Sequence, residues 1–297
     1  MNQELTHRTI GEIVAEDYRA AGAFKKFGLD FCCGGKRTVA EACTKKGVDV
    51  QELQQELRSV LRRAGGEADY ASWPADLLVE YIVSMHHRFV RDKLPEIESY
   101  ARKVAKVHGR SYPALKEMLE VFLQLRDEMT DHLDKEELLL FPYIRHLVEA
   151  DSKGRAPESG LDEGTPAQAV AMLESEHEEA GRLMARLEEL SDGFTPPEDA
   201  CPTFRVYFQN LEGFRDDLHK HVHLENNILF PRAWSYMNVW PAEARLPARA
   251  MGSTDEDDEK GPMVMAGFPV LLRAGGGHGP VFPCGHGVPA PRGTQPG

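Results

Sequence analysis

Two segments of the chain carry the same set of ligand-type side chains at the same spacing. His132-x-x-x-Glu136-x-x-x-Leu140-Phe141-Pro142 and His221-x-x-x-Glu225-x-x-x-Leu229-Phe230-Pro231 are both His-x-x-x-Glu-x-x-x-Leu-Phe-Pro. Residues four apart share one face of a helix, so each segment offers an imidazole and a carboxylate in a common direction. The repeat extends upstream, where His87 precedes His132 by 45 residues and His177 precedes His221 by 44. Each half is therefore a helix with one key histidine followed by a helix with His-x-x-x-Glu. Four imidazoles and two carboxylates suit two transition-metal ions, each taking two histidines, with Glu136 and Glu225 bridging. A buried carboxylate is costly unless a cation neutralises it, so two matched ones favour a metal over an ordinary core. Four protein ligands per ion leave a position open, and open nitrogen–oxygen sites point to non-haem iron.

Neighbouring histidines are separated by phase. Val79, Val83, His87, Val90, Leu94 and Ile97 form one helical stripe, whereas His86 lies about 100° away and shares its stripe with Lys93. His219 and His223 flank His221 by two residues and point elsewhere, so they are assigned to the surroundings of the site or the surface. Glu128, four residues before His132, and Glu176, beside His177, either orient an imidazole through its other nitrogen or are solvated helix charges. The Leu-Phe-Pro ending is read as core residues followed by a proline that kinks the helix.

The elements that must position these residues are helices. Segments of helical period run over 74–107, 113–150, 166–190 and 202–237, with turn-forming stretches between them and no β-like alternation. The expected fold is all-α: an up-down-up-down four-helix bundle over 72–240. A small helical domain over 1–66 precedes it. In that domain Thr9 with Glu12, Thr38 with Glu41 and Asp49 with Glu52 are capping pairs, Gly28, Gly47 and Gly65 are helix stops, and Gly65-Gly66 is a hinge. Its turn contains Cys32 and Cys33. Gly34 and Gly35 free the backbone there, and Lys36, Arg37 and the helix start at Thr38 would stabilise exposed thiolates able to pass iron, react with NO or bridge to a second chain. A homodimer is left open. Cys43 and Cys201 are structural.

Charge divides the same way. The net −13 splits into +2 over residues 1–65, −14 over 66–240 and −1 over 241–297. That acidity argues against nucleic acid or an anionic membrane as partner, and no run is long enough to span a bilayer. The N-terminus has no secretory pattern, and the odd cysteine number argues for a reducing, cytoplasmic setting. Residues 241–297 are Gly/Pro-rich after an acidic run and are expected to be disordered, with His278, Cys284 and His286 a chance grouping.

The order of motifs carries a resemblance: Asp30-Phe31-Cys32-Cys33-Gly34-Gly35, then Lys106-Val107-His108-Gly109 closing a helix, the first His-x-x-x-Glu unit, Glu174-Ser175-Glu176-His177-Glu178-Glu179-Ala180-Gly181, and the second unit. Over about residues 5–237 the chain resembles the bacterial iron–sulfur cluster repair (RIC) family, in which a short cysteine-bearing domain precedes a hemerythrin-like di-iron domain. The resemblance implies His87, His132, Glu136, His177, His221 and Glu225 as ligands to two oxo-bridged irons. It also implies damaged iron–sulfur proteins as clients after nitric oxide or peroxide stress. Iron donation, turnover of NO or peroxide, and reversible binding of O₂ or NO as a store or sensor are the three activities such a site could have. The attached thiols favour the first over the third.

Overall fold

The computed structural model describes residues 2–61, 68–156 and 166–239. The Gly65-Gly66 hinge and the 241–297 tail with its cysteine and histidines lie outside them. All described elements are helices, apart from a single bridge between Thr9 and Thr38.

The first five helices are α1 (Asn2–His7), α2 (Ile10–Glu16), α3 (Ala20–Lys26), α4 (Val39–Lys46) and α5 (Val50–Leu61). Thr9 and Thr38 each accept from the backbone of a glutamate three residues on, and that glutamate's side chain returns to the cap's N–H. Asp49 accepts from Gln51 and Glu52, so it caps α5. Gly28 and Gly47 take φ +64 and +68, where a Cβ would be strained, and end α3 and α4.

The bundle follows. Helix α6 (Ala75–Tyr81) runs through a π-helical turn, Ile82–His87, into α7 (Arg88–His108). Helix α8 (Ala114–Lys135) runs through Glu136–Leu140 into α9 (Phe141–Ser152). Then come α10 (Pro166–Leu190) and α11 (Pro202–Leu224), the latter passing through Glu225–Leu229 into α12 (Phe230–Val239). Helix α7 packs on α8 and α11, and α8 on α10. Cross-helix pairs run in opposite senses along each neighbouring pair: Arg91–Asp134 and Arg126–Glu98, His132–Glu176 and Arg186–Glu117, His177–Asn226 and Arg215–Glu188. The topology is up-down-up-down, as the periodicity predicts.

Proline explains two of the π turns. Pro142 and Pro231 lack an N–H, and their rings crowd the carbonyl four residues back, so the ladder widens just ahead of them. The Leu-Phe-Pro ending therefore shapes the turns that begin at Glu136 and Glu225.

Apolar burial forms two bodies. One includes Phe122, Leu125, Met129, Leu133, Met184 and Phe214 of the bundle and is continuous with Ile10, Phe24, Phe31 and Leu53 of the first five helices. The other gathers Leu78, Ile82, Phe141, Ile144 and Leu229. Between them lies a layer of buried polar side chains.

Candidate metal centre

The six residues singled out by the repeat meet in that polar layer. His87 ends the first π turn, Glu136 and Glu225 begin the other two, and His132 and His221 sit one turn before them. All six are between 0 and 2% exposed. Ligand atoms of His87, Glu136, His221 and Glu225 lie within 4.8 Å of one another, and so do those of His132, Glu136, His177 and Glu225. Both carboxylates belong to both groups.

The oxygen positions make the sharing concrete. Glu136 Oε2 lies 3.3 Å from His87 Nε2 and 3.4 Å from His132 Nε2. Glu225 turns Oε1 toward His221 Nε2 at 2.8 Å and Oε2 toward His177 Nε2 at 3.2 Å. His132 Nε2 and His177 Nε2 face each other at 2.9 Å. His87 Nε2 and both oxygens of Glu136 are buried without a hydrogen-bond partner among the described residues. Inward-facing nitrogens and orphaned carboxylate oxygens in a buried layer fit cations, which would meet the charge and lone pairs that burial withdraws from solvent. The arrangement is a candidate for two metal ions bridged by carboxylates.

Its electrostatics point the same way. Burial opposes charge on His87, yet the adjoining carboxylates of Glu136 and Glu225 hold its pKa up at about 10. His177, also opposed by burial, is held at about 9 by Glu225. His221 is pushed down to about 3 by burial. The two carboxylates draw positive charge into the layer.

Three of the four imidazoles are oriented from behind. Glu137 Oε1 meets His87 Nδ1 at 2.8 Å and is itself paired with Arg91. Glu176 Oε2 meets His132 Nδ1 at 2.9 Å, and Lys135 pairs with its other oxygen at 2.5 Å. The His132 hydrogen bond, against burial and with Lys135, lowers Glu176 to about 2. Asn226 Oδ1 meets His177 Nδ1 at 2.8 Å. Glu176 thus serves a histidine, but the one across on α8 rather than its neighbour His177. Among the described residues Glu128 orients no imidazole: it accepts from Gln124, and its other oxygen has no partner there. Glu137 and Asn226 are invisible to spacing, since each acts across helices from one step beside Glu136 or Glu225.

The leftover histidines also find places. His86 is buried, bonds Asp217 through Nδ1 at 2.9 Å and lies parallel to His221 at 5.7 Å. Its stripe faces α11 rather than water, since Lys93 too reaches Asn210 there. His223 is fully buried and His219 half-buried, both against Phe31 of the cysteine turn. His108 lies at the far end of the bundle, 3.3 Å from Cys201 Sγ. Phe141 and Phe230 stack on His87 and His177, so the phenylalanine of each Leu-Phe-Pro packs on the site.

The cysteine turn lies against this layer. Cys33 Sγ donates to the carbonyl of His177 at 3.3 Å, and Asn227 Nδ2 donates to the carbonyls of Phe31 and Cys32. Lys36 pairs with Glu174 on α10. The expectation of two exposed thiolates is corrected: Cys32 is buried, and Cys33, burial and Asp30 together push its thiol well above the ordinary range. Cys33 is half-buried. Asp30, Cys32 and Cys33 bring ligand atoms within 4.8 Å of one another. Cys43 is buried in the apolar body, and Cys201 is the N-cap of α11.

A cavity of about 260 Å³ opens beside His132, walled by Glu128, Asp131, Lys135, Glu176, Glu179 and Arg182. It brings solvent to the outer side of the His132–Glu176 pair.

Comparison with known proteins agrees with this architecture. Residues 78–233 match the family described as "Hemerythrin HHE cation binding domain". Residues 6–61 match ScdA_N, described as "Domain of Unknown function (DUF542)". The chain is 33% identical over 224 residues to the "Iron-sulfur cluster repair protein YtfE" of Escherichia coli O17:K52:H18 (strain UMN026 / ExPEC), which covers 75% of this chain and 95% of that protein. Proteins of the same name in Escherichia coli O81 (strain ED1a) and Shigella boydii serotype 4 (strain Sb227) are 34% and 33% identical with the same coverage. The chain belongs to the iron-sulfur cluster repair family. The hemerythrin match spans all six inward-facing ligand-type residues, and the ScdA_N match spans both turn cysteines. Like the sequence, the described helices include none long and apolar enough to cross a membrane.

Proposed function

We propose that this protein repairs iron–sulfur clusters damaged by nitrosative or oxidative stress, in the cytoplasm, by donating iron from a di-iron centre. His87, His132, Glu136, His177, His221 and Glu225 are its ligands. The observation that carries the reading is the pair of buried two-histidine, two-carboxylate groups sharing Glu136 and Glu225, with a dithiol turn hydrogen-bonded to the backbone of His177. Imidazole with carboxylate favours iron, zinc or manganese over calcium or magnesium, and an incomplete protein coordination shell favours iron. Bound iron supplies open coordination positions for NO, O₂ or bridging oxide.

The chain's own residues do the rest. Glu136 and Glu225 supply the negative charge that holds two cations. Glu137, Glu176 and Asn226 accept from the outer nitrogens and so aim Nε2 of His87, His132 and His177 inward. The acidic walls of the cavity beside His132 favour cations at its mouth. The Cys32–Cys33 turn is a soft-ligand station beside the centre, suited to receive iron on its way to a client. The 1–66 module and the 72–240 bundle are thus donor-side and storage-side parts of one device.

The test is metal analysis with absorption spectroscopy of the purified protein, followed by incubation with a protein whose cluster has been destroyed by NO. Two irons per chain with oxo-bridge absorption, and cluster recovery that fails with Glu136→Ala or Glu225→Ala, are expected. Zinc alone at full occupancy, or recovery undiminished in both variants, would overturn the proposal.

A further inference from the structure

We infer that the two cation positions are unequal, and that the ion between His87 and His221 is the weakly held one that the protein gives up. This rests on the di-iron donor reading above and assigns the donated ion to one side of the centre.

The inequality lies behind the imidazoles. His132 and His177 both have an acceptor at Nδ1, from Glu176 and Asn226, so a metal at Nε2 leaves each outer N–H satisfied. Their Nε2 atoms lie 2.9 Å apart and both point into the polar layer. The Cys33 bond to the His177 carbonyl and the Lys36–Glu174 pair further fix α10 there.

The other position is built differently. His87 is anchored by Glu137, but Nδ1 of His221 has no hydrogen-bond partner among the described residues, although the side chain is fully buried. The ring of His86 lies parallel to His221 with centroids 5.7 Å apart, and its own Nδ1 is taken by Asp217. To bind a metal through Nε2, neutral His221 must place its proton on Nδ1 and bury an unsatisfied donor. Without the metal, the same proton sits on Nε2 and donates to Glu225 Oε1 at 2.8 Å. Departure of this ion moves one proton between the two nitrogens of one imidazole, by exchange with water. It satisfies a hydrogen bond that occupancy forbids. Outer partners of metal-bound histidines are worth about 10–100-fold in metal affinity. The His87–His221 ion is therefore expected to bind weaker by about that factor.

The experiment loads the full chain anaerobically with two equivalents of iron(II) and titrates it to equilibrium with a chelator. Crystals at half extraction are then read for iron by anomalous diffraction. Two steps of equal size, about 10–100-fold apart in chelator, with the remaining ion between His132 and His177, are expected. Asn226→Ala, which strips His177 of its acceptor, should bring the two steps together. One step for both ions, or a remaining ion between His87 and His221, would overturn the inference, as would Asn226→Ala leaving the separation unchanged. A protein that takes up no iron would sink both this inference and the di-iron reading. Two well-separated steps without cluster repair would sink only the proposed function.

Discussion

Asn226 and Asn227 are neighbours in one π turn and reach to opposite sides. Asn226 accepts at its side-chain oxygen from His177, at 2.8 Å, inside the polar layer. Asn227 donates its amide to the carbonyls of Phe31 and Cys32, at 3.3 and 3.2 Å, on the cysteine turn. Two adjacent residues thus tie the metal-side imidazole and the thiol turn to a single piece of backbone.

Asn227→Leu removes the amide and leaves two turn carbonyls without their donor. A loss of about 1–3 kcal/mol in stability is expected. Alkylation of Cys32 and Cys33 should accelerate several-fold while metal content stays unchanged. Alkylation at the wild-type rate would show that the turn is held by other contacts.

The same contact has a steric signature in glycine. A Cβ on Gly35 would meet Asn227 Oδ1 at 2.4 Å and the Phe31 carbonyl at 2.7 Å, and one on Gly11 would meet Asn227 Oδ1 at 2.1 Å. Gly22, inside α3, has nothing within 4 Å. Gly35→Ala should cost about 1–3 kcal/mol, whereas Gly22→Ala should add about 0.5–1 kcal/mol from helix propensity. Chemical denaturation of the two variants side by side checks the difference in sign.

Removing a bridge should empty the centre. Glu136→Ala deletes the oxygen that lies between His87 and His132, and the expected metal content falls below one ion per chain. Binding stabilises whatever it binds, by about 2.7 kcal/mol when free metal is a hundredfold above its dissociation constant. Chelation of the wild type should therefore lower its melting temperature, and the Glu136→Ala protein should melt at the same temperature with or without chelator. A chelator response of wild-type size in the variant would contradict the shared-carboxylate geometry.

Acid should loosen the module from the bundle at a defined place. Asp216 on α11 is paired with Lys25 of α3 at 2.6 Å. Burial raises its pKa, but Lys25 and Arg215 outweigh that and leave it below the ordinary 3.8. A carboxyl depressed in the folded state stabilises it fully above 3.8, and that contribution is lost as pH falls through the folded value. Both side chains are about half exposed, so screening keeps the effect small. The melting difference between wild type and Asp216→Asn should be steady at neutral pH and shrink below about pH 4. A difference that grows on acidification would reverse the sign.

The inward-facing histidines and glutamates were legible because helical spacing and an internal repeat report on the same face twice. Their supports were not, because support comes from a different helix. Glu137 sits one step, about 100°, from Glu136, which by periodicity alone is surface; only the pairing of α7 with α8 turns it to His87. Glu176 was visible as a carboxylate able to orient an imidazole, but spacing along one helix could not say that the imidazole is His132 on α8. Cys32 looked activated by Lys36 and Arg37, yet docking buries it and sends Lys36 to Glu174. Long helices, caps and topology followed from local pattern; interfaces did not.

A π turn holds one residue more than an α turn, and that residue acts as a register mark. Phe141 and Phe230 reach the rings of His87 and His177 only after the chain has passed through such a turn. Deleting one residue within 137–140 or 226–229 would leave every ligand type in place and every helix the same length to within a residue. It would nonetheless rotate α9 or α12 by about 100° relative to α8 or α11. In these two stretches a single-codon deletion is a turn of a screw, and aligned relatives should tolerate substitutions there far more readily than gaps.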